Sequence, residues 1–233
     1  AITLGSATTG NLKFNGPVAL VGQTKIVTVA NAVTEFSGAI GGSGSGTFFA
    51  KAGPGTLIVS GNTHGYTQIT RIDEGVLQVG NGGSAGALSG SAVQNNASLV
   101  INRANPEGSD SFVFGNAISG TGSLTHSGTA YTITSGANTY TGDTIVTNGT
   151  LSPTDATFAD NSSIRLSGTG KLDLYFSGID TVGKLFINDV SQAVGTWGRV
   201  GSIAALGADF ESPFILGDGL LDVTATGDAS PFE

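Results

Sequence analysis

The residues with the most chemical reach are three groups of carboxylates: Asp73 and Glu74 beside Arg71, Asp209 with Glu211, and Asp218 with Asp222. Hydrolysis of a glycosidic bond needs two carboxyl groups facing each other across it. β-Elimination needs carboxylates that hold Ca²⁺ and a basic residue that removes a proton. No acidic pair in this chain recurs at a fixed spacing with Arg or Lys, so the three groups read as solvated loop carboxylates. The Gly-Gly-x-Gly-x-Asp calcium repeat is absent. His64 and His126 are the only histidines and fall at different points of the pattern described below, which suits exposed loop residues rather than a metal pair. Gly41-Gly-Ser-Gly-Ser-Gly46 lacks the Gly-Lys-Ser/Thr and the helix of a phosphate loop, and reads as a corner. Serine is abundant, but no Gly-x-Ser-x-Gly elbow sits between a strand and a helix. The residues imply no catalytic group, metal or cofactor.

Aromatic side chains are the remaining route to binding. Tyr66, Tyr131, Tyr140, Tyr175 and Trp197 each carry a flat apolar ring with a polar tip, suited to stacking on sugars or to covering corners of a stack. Tyr66, Tyr140 and Trp197 are the candidate glycan or interface contacts. Phe112, Phe114, Phe158, Phe176, Phe186, Phe210 and Phe214 read as core.

The elements that must position these side chains are strands. Of 233 residues, 38 are Gly, 11% are charged and 39% are hydrophobic, with no Cys. Disorder would need low hydrophobicity and high charge, so the chain folds. A net charge of −8 opposes nucleic acid and anionic membranes, and no apolar run approaches the ~18 residues of a membrane-spanning helix. Helix signals are nearly missing. Short apolar runs bounded by Gly, Asn, Asp or Ser recur instead: Thr56–Val59, Val76–Val79, Ser98–Asn102, Ser111–Phe114, Tyr131–Thr134, Thr144–Thr147, Ser163–Leu166, Lys171–Leu174, Lys184–Asn188 and Leu220–Val223.

An internal repeat turns this all-β pattern into a solenoid. Phe36-Ser-Gly-Ala-Ile40 returns as Phe114-Gly-Asn-Ala-Ile118, and the run from Lys51 to Thr63 returns from His126 to Thr139. Tyr66-Thr67 then matches Tyr140-Thr141, and Gly75-Val-Leu77 matches Gly149-Thr-Leu151. The expected fold is a right-handed parallel β-helix of about ten coils at roughly 20–25 residues each, a rod on the order of 50 Å. The expected organisation is coils over 1–177, with matched repeats at about 36–88 and 114–152. Residues 178–233 are a C-terminal closing segment or the last coils. Gly61, Gly75, Gly136 and Gly149 fall at corners, where a Cβ would clash or φ turns positive. Asn62 and Asn138 follow equivalent strands and are candidates for a side-chain ladder.

At these residues the chain resembles the autotransporter-associated β-strand repeat of large surface and secreted proteins of Gram-negative bacteria. The copy from Gly120 to Asp143, ending in Asn148-Gly-Thr-Leu151, carries the pattern nearly whole; the copy from Gly46 to Leu77 inserts His64-Gly65 before Tyr66. The tail from Asp180 to Gly198, followed by Gly217-Asp-Gly-Leu-Leu-Asp-Val223, is similar to the segment that closes such modules. The resemblance implies an extracellular passenger-type β-helix, with Ala1 following a removed signal peptide. A membrane β-barrel normally follows a passenger, and with no length left for one the expectation is either a processed or excised piece or a non-autotransporter protein that carries these repeats. The expected function is a non-enzymatic structural protein, a subunit of a bacterial surface filament, sheath or matrix that self-associates end to end through open coil ends. The alternative is an adhesin passenger that binds glycans or surfaces; a polysaccharide lyase or hydrolase ranks third.

Overall fold

Alternating inward and outward residues wind the chain into a stack of short parallel strands. The computed structural model describes residues 1–19, 24–41, 48–62, 64–66, 68–90 and 92–227. The expected corner at Gly41–Gly46 therefore lies almost wholly outside the described residues, as do Thr63 and Thr67 of the repeat. Up to Ile187 each described strand pairs with a strand one coil away, never with its neighbour in sequence. Within the coils up to Ile187, register advances by 19 residues at the shortest step, Tyr131 to Thr150, and by 25 at the longest, Ser98 to Ser123.

Three faces make the prism. The first holds Ile2–Leu4, Thr24–Val29, Phe48–Ala52, Thr70–Ile72, Ala92–Asn95 and Ala117–Ser119. The second runs the whole length, from Leu12–Phe14 to Lys184–Ile187. Among the described residues, the third has near the start only the pair Val18–Ala19 and Ile40–Gly41 and a single bridge from Ile40 to His64. Its regular sheet begins at Phe112–Phe114 and continues through Tyr131–Thr134, Thr150–Pro153, Lys171–Val182 and Ile215–Val223. The solenoid makes about eight turns rather than ten. At ~4.8 Å per coil the wound part is about 38 Å long.

Two columns on the second face form the spine of the core. One stacks Leu12, Thr34, Leu57, Leu77, Leu99, Leu124, Thr144, Ile164 and Leu185; the other stacks Phe14, Phe36, Val59, Val79, Ile101, His126, Val146, Leu166 and Ile187. The polar members are buried and paired: Thr34 donates to Asn31 Oδ1 at 2.9 Å, and Thr144 bonds the Tyr140 hydroxyl at 2.6 Å. A buried hydroxyl without a partner would cost the stack about 1–3 kcal/mol.

Equivalent strands of the two repeats do not stack on each other. Phe48–Ala52 and Thr56–Val59 lie on the first and second faces, while their counterparts Ser123–His126 and Tyr131–Thr134 lie on the second and third. The second copy is advanced by one face, and on the second face one coil, Ser98–Ile101, separates the copies. Equivalent residues of the two copies are therefore out of vertical register. The first sheet ends at Ala117–Ser119 just as the third begins at Phe112–Phe114, so each half of the rod has two regular faces and one irregular one. Arg103 ties this changeover together. Its buried guanidinium donates to the carbonyls of Ser84 and Gly86 and stands 3.8 Å over the Phe112 ring.

Winding stops at a reversal. Asn188 and Asp189 have φ of 49° and 62° and link Lys184–Ile187 to the antiparallel Val190–Ser191, a two-residue hairpin turn with both central residues left-handed. Gly195–Gly198 then pairs antiparallel with Ile215–Val223, and the short helix Ser202–Leu206 and strand Phe210–Glu211 complete a closing layer. This layer uses chain that ten coils would have needed.

Candidate functional site

The repeat places a buried base at the same point of each copy. Lys51 Nζ donates to the carbonyls of Gly53 at 2.7 Å, Glu74 at 2.9 Å and Ala52 at 3.1 Å. Burial pushes its pKa down to about 8, against the pull of the Glu74 charge. His126 fills the position in the second copy. Its Nδ1–H donates to the Asn148 carbonyl at 2.8 Å, which leaves Nε2 to accept from the Thr132 hydroxyl at 2.8 Å. Glu74 and Asn148 are themselves equivalent, so each base holds the corner one coil further on. His126 is fully buried rather than an exposed loop residue. His64 is half-buried between two coils, accepting the Ile40 N–H at 3.1 Å and donating to the Ala87 carbonyl at 2.8 Å. Burial holds both imidazoles below their ordinary value.

The three aromatic candidates for sugar contact turn inward. Tyr66 and Tyr140 are buried on the irregular face of their own repeat, with hydroxyls bonded to Thr70 at 2.9 Å and Thr144 at 2.6 Å. Burial pushes the Tyr140 phenol up to about 12. Trp197 stacks on Phe210 at 4.7 Å in the closing layer and donates to the Ala193 carbonyl at 2.9 Å. None of the three offers a ring face to solvent, because the prism is narrow and its corners need flat, large side chains to fill them.

The ladder candidates make unrelated bonds. Asn62 Oδ1 accepts the Gly86 N–H of the following coil at 2.7 Å, and Asn138 Oδ1 accepts the Ile118 N–H of the preceding one at 3.0 Å. Ile118 corresponds to Ile40, so Asn138 does for the second copy what His64 does for the first. Gly75 and Gly149 have φ of 67° and 61°. At Gly61 and Gly136 the constraint is close approach: a Cβ would meet the Gly38 carbonyl oxygen at 2.7 Å and Ala117 Cα at 2.6 Å.

Four of the six carboxylates singled out in the sequence carry structural bonds. Asp73 pairs with Arg71 at 2.7 Å, Asp209 accepts from the Thr196 N–H and hydroxyl at 2.9 Å, Glu211 accepts the Ile203 N–H at 2.8 Å, and Asp218 pairs with Arg199 at 3.1 Å. Among the described residues no group of three or more His, Asp or Glu is arranged to hold a metal ion. No helix among them is long and apolar enough to cross a membrane.

One open groove does present aromatic chemistry, on the regular part of the third face. Tyr131, Ile133 and Ser152 form its floor, Asp110 and Ser111 one rim and Tyr175 the other, around a cavity of about 380 Å³. The rim is held by Asn105, which donates to the Asp110 carbonyl at 2.7 Å while its Oδ1 accepts the Tyr131 N–H at 2.9 Å. The Tyr131 hydroxyl donates to the Asp173 carboxylate and lies 3.1 Å from the Ser152 hydroxyl. Tyr175 is 69% exposed because Lys171–Val182 carries an irregularity between Leu174 and Gly178, opposite Gly217 and Gly219 of Ile215–Val223. Extra residues at such a bulge turn a side chain outward. Nothing in the spacing marks Tyr131 and Tyr175 apart within the aromatic set; only the bulge distinguishes Tyr175.

The passenger-associated-transport-repeat matches residues 49–79 and 119–152. The chain is 37% identical over 113 residues to the adhesin BmaC autotransporter of Brucella suis biovar 1 (strain 1330), an alignment that takes in 46% of this chain and 3% of that protein. The chain thus spans a small fraction of the curated relative it matches. No solved structure matches it. Both matched segments are set on regular faces of a parallel β-solenoid, so the chain carries two copies of a repeat similar to the passenger-associated-transport-repeat.

Proposed function

We propose that the chain is a non-enzymatic segment of an extracellular, adhesin-like passenger, a rigid rod that holds side chains of its faces away from the cell that makes it. The observation that carries this reading is the unbroken register of nine parallel strands on the second face, with every buried polar member of the two columns hydrogen-bonded. Such a stack is stiff, and it supports surface residues without needing a cleft. The structural bonds of Asp73, Asp209, Glu211 and Asp218 favour structure over polysaccharide cleavage. The closing layer after Ile187 favours a rod over a filament subunit, since it covers a coil edge that stacking would need.

Three measurements test the reading. Antibody labelling of intact producing cells is expected to detect the chain at the surface, and beads coated with it are expected to adhere to host cells or matrix. Labelling only after permeabilisation, or beads that adhere no better than uncoated ones, overturns it. Release of reducing ends or unsaturated products from pectic or alginate polymers, with or without Ca²⁺, overturns the non-enzymatic part.

A further inference from the structure

We propose that the third-face groove between Asp110 and Tyr175 binds neutral saccharides, with the Tyr175 ring as the stacking platform. The inference rests on the passenger reading for its setting and adds to it a site and a ligand class. Three features carry it. The groove is mostly apolar in lining yet carries hydroxyl and carboxylate groups at its edges, the mix that a hydroxylated ring presents in reverse. Its aromatic floor is fixed beforehand: Tyr131 is locked by Asp173, Ser152 and the Asn105 bond to its backbone, so little side-chain entropy remains to be lost on binding. The bulge lifts Tyr175 clear of the sheet, and a second depression of about 270 Å³, bordered by Phe176, Ser177 and Asp218, lies against the same residue. A ring flanked by two hollows suits successive sugar units, whose electropositive C–H faces complement the negative face of the phenol ring.

Charge selects within that class. The rim carboxylate is Asp110, Asp173 lies behind Tyr131, and the whole chain bears −8. Carboxylates accept hydrogen bonds from sugar hydroxyls and repel uronic and sialic acids. The ligand is therefore an uncharged oligosaccharide.

Titration calorimetry of the full chain with cellotetraose, maltotetraose and N-acetyllactosamine, and separately with trigalacturonate and sialyllactose, tests the proposal. At least one neutral sugar is expected to bind saturably with a Kd below about 1 mM, and Tyr175→Ala to weaken it at least ~10-fold without changing the circular dichroism spectrum. No binding of any neutral sugar, tighter binding of the acidic ones, or unchanged affinity in Tyr175→Ala overturns it. Tyr175 is an exposed residue, so the variant keeps its fold; Ser111→Tyr, which fills the groove from the opposite rim, provides a second expected loss. Bead adhesion that persists while titration fails removes the groove and leaves the passenger reading standing. Titration that succeeds while beads fail removes only the latter.

Discussion

Lys51 and His126 stand at the same point of the two repeats and close the same corner, one with an ammonium on the Glu74 carbonyl and the other with an imidazole on the Asn148 carbonyl. Two unlike side chains thus solve one problem. A corner leaves backbone carbonyls inside the prism with no strand partner, and a buried donor must reach them.

Lys51→Met removes that donor while keeping the length of the side chain. The carbonyls of Gly53 and Glu74 lose their partner, and stability should fall by about 2–4 kcal/mol. Urea unfolding followed by circular dichroism measures it. Lys171→Met, at an exposed position of the third face, should stay within about 0.5 kcal/mol of the parent.

Acid should loosen the rod through its histidines. His64 and His126 are held below the ordinary 6.5 chiefly by burial, so the unfolded chain binds protons first as pH falls. Their contribution to stability is fully present above 6.5 and is lost as pH falls from there through the lowered folded values. The expected result is a lower Tm at pH 5 than at pH 7. His126→Lys, which installs the first copy's residue, should shrink that difference; an equal fall in both proteins would refute the assignment.

Gly75→Ala and Gly149→Ala should each cost about 2–4 kcal/mol. Both positions have left-handed φ, and a Cβ at either would stand 2.5 Å from a carbonyl oxygen of the previous coil, that of Gly53 or of Ala130. Gly16→Ala, whose Cβ meets nothing within 4 Å, should be nearly neutral by the same thermal melts.

Tyr66→Phe should destabilise more than Tyr140→Phe. Each loses a bond to a threonine, but the Tyr66 hydroxyl also accepts the Ser89 N–H at 3.1 Å. Losses of about 2 and about 1 kcal/mol follow from one orphaned backbone donor more in the first case. Amide exchange at Ser89 should accelerate in Tyr66→Phe alone.

Much of the winding was legible because burial alternates residue by residue. Thr56–Val59, Val76–Val79, Tyr131–Thr134 and Ser163–Leu166 were read in the sequence with the bounds they have in the structure. The face on which each strand lies was not legible, since period-two alternation is identical on all three sides of a prism. The shift of the second copy by one face was hidden for the same reason. Coil number was overestimated because Asn188-Asp189 looks like any polar corner, and its reversal of direction depends on two successive left-handed residues. The burial of the histidines is illegible for a related reason. Nothing local tells a polar residue that ends an inward column from one that ends an outward one, and His126 lies in line with Ile101 and Val146. Tyr66 and Tyr140 were legible as a matched pair, whereas Tyr175 owes its exposure to a bulge that no spacing announces.

The one-face advance between Phe48–Ala52 and Ser123–His126 bears on how a longer array would meet another surface. If further copies followed the same step, equivalent outward residues would climb the rod as a spiral staircase instead of lining one edge. A staircase has no preferred azimuth: whichever side a neighbouring cell approaches, some tread faces it.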